Sequence, residues 1–175
     1  LCSKANLPST KFSEVISYEE LLSMGSENFE WIKGEETDAC GICYTSGTTG
    51  NPKGVVYTHR SNTLHALTQV APDMLNLSST DTIMPVVPLF HANGWSIAYT
   101  APLVGSSIVF PGGDLSPSSL YDMLERGVTM TAAVPTVWLL LLNFLESEQN
   151  KLSSLERVVI GGSSCPRSVI EDFQN

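Results

Sequence analysis

The stretch Tyr44-Thr45-Ser46-Gly47-Thr48-Thr49-Gly50-Asn51-Pro52-Lys53-Gly54 packs three glycines, four aliphatic hydroxyls and one lysine into eleven positions. Glycines let a backbone turn tightly and bring its N–H groups close to an anion. The hydroxyls of Thr45, Ser46, Thr48 and Thr49 donate hydrogen bonds to phosphate oxygens, and a hydroxyl oxygen also suits a hard cation. Lys53 adds a compact positive charge at a fixed distance from the loop. Such a set suits a polyphosphate, each charge-assisted hydrogen bond being worth about 1.5–3 kcal/mol. The pattern is not a Walker A loop. Four residues intervene between Gly47 and Pro52, where that motif needs a glycine followed by Lys and Ser/Thr. An ordinary flexible hairpin rich in turn residues is the alternative. Against it stands the density of hydroxyls beside a lysine in an acidic, lysine-poor chain. Phosphate binding is the expectation.

Other reactive residues are sparser. His91 lies in Val87-Pro88-Leu89-Phe90-His91-Ala92-Asn93-Gly94-Trp95, a strand-end loop that leaves it open to function. A partly buried structural histidine is the alternative. His59 and His65 fall at a helix start and on a helix face and are not assigned to catalysis. Cys40 and Cys43 form a C-x-x-C, but no second pair follows and the histidines lack ligand-like spacing. The surrounding run, 39–45, reads as a strand, in which residues three apart point to opposite faces. Small apolar thiols in a buried strand are therefore expected, not a zinc site or a redox pair.

The elements that must hold these residues alternate between short strands and helices. Strand-like runs at 39–44 and 55–57 flank the loop, and Thr58 caps a helix running through Leu64, Leu67 and Val70 as far as Pro72. Further strands are expected at 82–87, 106–110, 128–133 and 157–160. Ser116-Pro117 opens a helix that Gly127 closes, and Pro135 opens a strongly apolar one to Leu145. Its run Val137–Leu142 falls far short of the roughly 18–20 apolar residues a bilayer demands, so it is a core helix. Upstream, Ser17 and Glu20 form a capping box for a short helix ending before Gly25. A linker over 28–38 completes a 1–38 approach segment, and 39–175 forms the domain. This alternation argues a layered α/β fold.

With 175 residues, 42% hydrophobic, the chain is globular rather than disordered, and about one domain long. Only 15% of residues are charged, against a usual value of about 25%. Neighbouring polypeptide is expected to cover part of its surface. Nine Lys and Arg against eighteen Asp and Glu give a net charge of −9, which argues against nucleic acid as a partner. Nothing reads as a signal peptide or a transmembrane segment. A cytoplasmic location with reduced thiols is expected, compatible with peripheral attachment to a membrane.

The run from Tyr44 to Val55 resembles the phosphate loop of the adenylate-forming, or AMP-binding, superfamily of acyl-CoA synthetases, luciferases and peptide-synthetase adenylation domains. The segment Val87–Trp95 resembles the second core segment of the medium- and long-chain fatty-acyl-CoA synthetases. Ala133-Val134-Pro135-Thr136-Val137-Trp138 and Val159–Arg167 are similar to the segments leading into the adenine and acyl pocket. The resemblance runs from about Cys40 to the last residue. It implies part of a layered αβαβα-type large domain. It also implies a ligase that activates a carboxylic acid with ATP and Mg²⁺ as an acyl-adenylate and passes the acyl group to coenzyme A.

By this resemblance Thr45, Ser46, Gly47, Thr48, Thr49 and Gly50 wrap the β- and γ-phosphates, with Lys53 in support. Thr45 is the candidate Mg²⁺ or ATP contact. His91 lies near the carboxylate and α-phosphate as a donor to developing charge, so His91 and Lys53 are the candidate catalytic pair. Trp95 corresponds to a gate on the acyl tunnel, with plain core packing as the alternative. Gly161, Gly162 and Ser163 let the backbone approach adenine and the acyl group, against the alternative of a simple strand-to-helix turn. The family pattern continues with motifs this chain lacks, so an internal section of a homo-oligomeric parent enzyme, inactive alone, is expected. A ligase for an aryl, short-chain or sulfur-containing acid, or a nucleotide-binding module without chemistry, are the rival functions.

Overall fold

The computed structural model describes residues 11, 12, 15–46 and 50–174, so Gly47, Thr48 and Thr49 lie outside the described residues. The chain divides into two units, Leu1–Gly34 and Glu35–Asn175. In the first, helix α1 (Tyr18–Ser23) begins where Ser17 Oγ accepts the Glu20 N–H at 3.1 Å, and it stops at Met24, just before Gly25. Phe29 and Trp31 pack edge to face with centroids 5.2 Å apart.

The second unit opens with an antiparallel hairpin of β1 (Ala39–Thr45) and β2 (Lys53–Thr58), followed by α2 (His59–Gln69). Thr58 and Ser61 cap that helix reciprocally, each hydroxyl accepting the other's backbone N–H. Then come β3 (Thr82–Pro85), a short turn α3 (Ala92–Trp95), α4 (Ile97–Val104) and β4 (Ser107–Ile108). The chain ends with α5 (Pro117–Leu124), β5 (Met130–Ala133), α6 (Pro135–Glu148), β6 (Arg157–Ile160) and α7 (Arg167–Gln174). Strands β3 to β6 form one parallel sheet in the order β4-β3-β5-β6.

Neighbouring residues in these strands feed two separate cores, as the two-residue period of a strand requires. Ile83, Met130 and Ala132 face Ile97 and Ala101 of α4, whereas Met84 and Ala133 face Leu120, Leu124, Trp138 and Leu141 of α5 and α6. Helices thus cover both faces, which explains why the strands read as short continuous apolar runs. The expected layered α/β architecture is present. The strand anticipated over 106–110 shrinks to two residues, because β4 is an edge strand paired on one side only. Among the described residues no helix is long and apolar enough to cross a membrane.

A clasp of residues distant in sequence holds the amino end of the sheet. Buried Asp81, just before β3, pairs with the Arg157 guanidinium and accepts Thr129 Oγ1 at 2.9 Å and the Ser78 N–H at 2.8 Å. Arg157 also donates to the carbonyls of Leu75 and Asn76. Burial alone would raise the Asp81 pKa, but Arg157, Ser78 and Thr129 together outweigh it and lower the carboxyl to about 2. A carboxyl depressed on folding stabilises above its unfolded pKa, and that contribution is lost as pH falls from about 4 toward about 2. Asp81→Asn is therefore expected to cost about 2 kcal/mol at neutral pH and to flatten stability against pH in that window. Thermal melts from pH 2 to 7 check this, and parallel curves for both proteins would refute it.

Candidate active site

The segments singled out from the sequence leave adjacent strands at the same edge of the sheet. The chain exits β3 toward His91 and Trp95, exits β5 into Val134-Pro135, and exits β6 into Gly161-Gly162. All three exits are carboxyl ends of parallel strands. From β3 the chain crosses by α4 on one face to β4, while from β5 it crosses by α6 on the other face to β6. The direction of winding therefore reverses between β3 and β5. Open parallel sheets leave a ligand crevice at such a point.

Beyond β3 the backbone is unusual. Val86 and Val87 still donate to the Ala132 carbonyl, at 2.9 and 3.2 Å, and His91 N–H closes a turn onto Pro88 O. Five consecutive residues then adopt left-handed φ: Ala92 at 42°, Asn93 at 51°, Gly94 at 59°, Trp95 at 54° and Ser96 at 64°. Left-handed geometry costs a non-glycine residue about 1–2 kcal/mol. Strain of this kind concentrates at working sites. At Gly94 the close approach of Leu89 adds to the φ, since a Cβ there would lie 3.2 Å from Leu89 Cα and 2.7 Å from Leu89 Cδ2.

The run delivers half-buried Trp95 to the exit of β6. A Cβ on Gly161 would lie 3.0 Å from the indole, and one on Gly162, at φ +84°, would lie 3.0 Å from Val134 Cγ1. Close approach at these glycines is thus to Trp95 and Val134. His91, exposed at the start of the left-handed run, makes no side-chain cap bond, and Ser163 is exposed.

The hairpin brings the phosphate-loop motif to this edge. Thr45 and Lys53 are register partners, both exposed, and form the last pair before the loop; Ser46 is exposed and Gly50 has φ +91°. Cys43, the one buried residue of the two hairpin strands, donates from Sγ to Asn93 Oδ1 at 3.1 Å. A contact between β1 and the left-handed run thereby couples the loop to the His91 segment. Cys40 faces the opposite way and accepts Asn62 Nδ2 at 3.2 Å. Both thiols are free. The expectation of a buried strand is corrected: β1 is largely exposed, because the hairpin stands outside the parallel sheet.

Sequence reasoning missed the contribution of α2. Its apolar positions Leu64 and Leu67 are exposed, and the face turned inward is Asn62, Ala66 and Gln69. That face meets α4 and the left-handed run. It helps to enclose a cleft of about 280 Å³, lined by Tyr57, Asn62, His65, Gln69, Asn93 and Trp95 among others. Their spacing puts the three on one helical face, but with two of them polar nothing in the sequence favours that face over the leucines.

The family model of the AMP-binding enzyme matches residues 4–175. This chain belongs to the AMP-binding enzyme family. The match begins well before Cys40, so it takes in the first unit as well as the motif-bearing second. Within the family, the chain is 47% identical over 168 residues to a medium-chain-fatty-acid–CoA ligase of Ectopseudomonas oleovorans, covering 95% of this chain and 31% of that protein. It is 48% identical to a long-chain-fatty-acid–CoA ligase of Thermus thermophilus, over 91% of this chain and 29% of the relative. The chain spans about 30% of the length of these curated relatives. A long-chain-fatty-acid–CoA ligase of Archaeoglobus fulgidus superposes with TM-score 0.77 at 32% identity, covering 91% of this chain and 32% of that one. An O-succinylbenzoate coenzyme A synthetase of Bacillus subtilis, solved with AMP, superposes at 0.73 with 29% identity, over 91% and 40%.

Proposed function

We propose that this chain supplies the phosphate-gripping and acyl-contacting segments of a fatty-acid–CoA ligase. The observation that carries the reading is the convergence at one sheet edge. Three strand exits bearing His91, Trp95, Val134 and Gly161 lie side by side, and the hydroxyl-rich loop is tied to them through Cys43 and Asn93. The similarity to medium- and long-chain ligases supports the fatty-acid branch.

A carboxylate is a poor electrophile and must be activated before a thiol can displace anything from it. In the first step a carboxylate oxygen bonds to the α-phosphorus of ATP, the α–β P–O bond breaks, and pyrophosphate leaves. The thiolate of coenzyme A then bonds to the acyl carbon, and AMP departs with the C–O electron pair. The residues for the first step fit a nucleotide. The loop 46–52 contains no acid, its glycines allow close approach, and Lys53 and Thr45 stand exposed at its mouth. Backbone N–H groups and the hydroxyls of Thr45, Ser46, Thr48 and Thr49 take the β- and γ-phosphates, and Lys53 neutralises them. The Thr45 hydroxyl, a hard oxygen donor, is the group of this chain that would contact Mg²⁺. Bound there, the ion would offset phosphate charge.

His91, exposed at the carboxyl edge, donates an imidazole N–H to the negative charge growing between carboxylate and α-phosphate. Trp95 forms a wall of the acyl site, and Gly162 with Ser163 lets backbone border the adenylate. Coenzyme A as acceptor, a homo-oligomeric parent and a cytoplasmic setting belong to the same proposal. Incubating the parent protein with ATP, Mg²⁺, coenzyme A and straight-chain acids of graded length tests it. Acyl-CoA, AMP and pyrophosphate are the expected products. ADP as product, turnover of aryl acids alone, or nucleotide binding without turnover would each overturn it.

A further inference from the structure

Gln69 ends α2 almost fully buried, yet it carries a primary amide in a place where an apolar side chain would be ordinary. Its Nε2 donates to the Trp95 carbonyl at 2.8 Å, and its Oε1 accepts from Thr100 Oγ1 at 2.9 Å. A carbonyl only accepts, so the NH₂ end must face Trp95 and the oxygen must face Thr100. Nε2 also lies 3.3 Å from His65 Nε2. Thr100 is fully buried in α4, and its hydroxyl also lies 3.0 Å from the Ser96 carbonyl. The amide therefore joins α2, α4 and the end of the left-handed run.

That run closes on itself through backbone bonds, Gly94 N–H to His91 O at 2.9 Å and Ser96 N–H to Asn93 O at 3.1 Å, but it has no side-chain cap. Neither His91 nor Ser96 caps with its side chain, and buried Ser96 Oγ has no hydrogen-bond partner. Residues in a disfavoured conformation persist only where their surroundings over-determine them. Beyond the backbone bonds of the run, three restraints come from outside it: Cys43 on Asn93, Gly161 beneath the indole, and Gln69 on the Trp95 carbonyl. Of these, only Gln69 grips the backbone of Trp95, a residue that lines the cleft.

We infer that Gln69 is a positioning residue that holds Trp95 against Gly161 and thereby sets which acyl chains the site accepts. Its role in acid selection rests on the fatty-acid reading above; its hold on Trp95 does not. Gln69→Met keeps the length of the side chain and removes both hydrogen bonds. In the parent protein it should change the ratio of kcat/KM between a medium- and a long-chain acid by about threefold or more. The change should vanish when Trp95 is already Ala, because Gln69 then has no ring to place. Acrylamide quenching of the Trp95 signal, taken as the emission difference between each protein and its Trp95→Phe partner, should rise in Gln69→Met.

Thr100→Val, a milder change, should move ratio and quenching in the same direction, and Thr100→Ser should restore both. A lowered melting temperature with an unmoved ratio and unmoved quenching would reduce Gln69 to a structural residue and overturn the inference. So would an equal change in the Trp95→Ala background. Should Gln69→Met fail to fold, the two Thr100 variants decide by the same criteria. A parent that activates no alkyl acid refutes the fatty-acid reading and, with it, acid selection. The quenching series then still decides whether Gln69 places Trp95.

Discussion

Lys53→Ala in the parent protein lowers the rate of adenylation by about ten- to a hundredfold and leaves the melting temperature where it was. The first half follows from chemistry. Lys53 stands opposite Thr45 at the mouth of the hydroxyl-rich loop, where a charge-assisted hydrogen bond to phosphate is worth about 1.5–3 kcal/mol. The second half follows from packing, since the side chain is exposed and makes no hydrogen bond or ion pair among the described residues. Lys53→Arg should recover only part of the rate, because a planar fork does not replace a compact ammonium. An unchanged rate in a protein with unaltered melting would remove Lys53 from the site.

Trp95→Ala should act on two quantities at once. The indole packs against the core that Ile83, Ile97 and Met130 share, and its far edge rests on Gly161. Truncating a large buried aromatic costs about 3–5 kcal/mol, and half-burial puts this site near the lower end. In the proposed function the ring also walls the acyl site, so the dependence of rate on acid length should flatten. Measuring melting and acid profile on one variant separates the roles. A stability loss with the profile intact would leave Trp95 a packing residue only.

Much of this arrangement is legible in the sequence because it is locally encoded. Thr58, Ser116 and Ser17 announce their helices through cap chemistry that operates within four residues. The parallel strands read as apolar runs because both their faces are covered. The hairpin loop is legible from its glycines, hydroxyls and lysine. Features that depend on partners are not. Hydropathy assigns the buried face of α2 to Leu64 and Leu67, but the neighbours of that helix are a backbone carbonyl and a threonine hydroxyl, which select Gln69. Asn93-Gly94 suggests a turn, yet nothing local tells that Ala92 and Trp95 join it in left-handed geometry. Asp81 and Arg157 meet across 76 positions, beyond the reach of any periodicity. The exposure of β1 follows from the hairpin's place outside the main sheet, which its residues do not record.

The central claim is that this chain grips ATP at the hairpin loop while an alkyl carboxylate meets it at the carboxyl edge of the sheet. Exchange of labelled pyrophosphate into ATP, followed in the parent protein without coenzyme A, tests it most directly, because exchange reports the reversible formation of an acyl-adenylate alone. The account predicts exchange that requires a fatty acid and falls about ten- to a hundredfold in Lys53→Ala. Exchange that is absent, that proceeds without acid, or that is indifferent to Lys53 would contradict it.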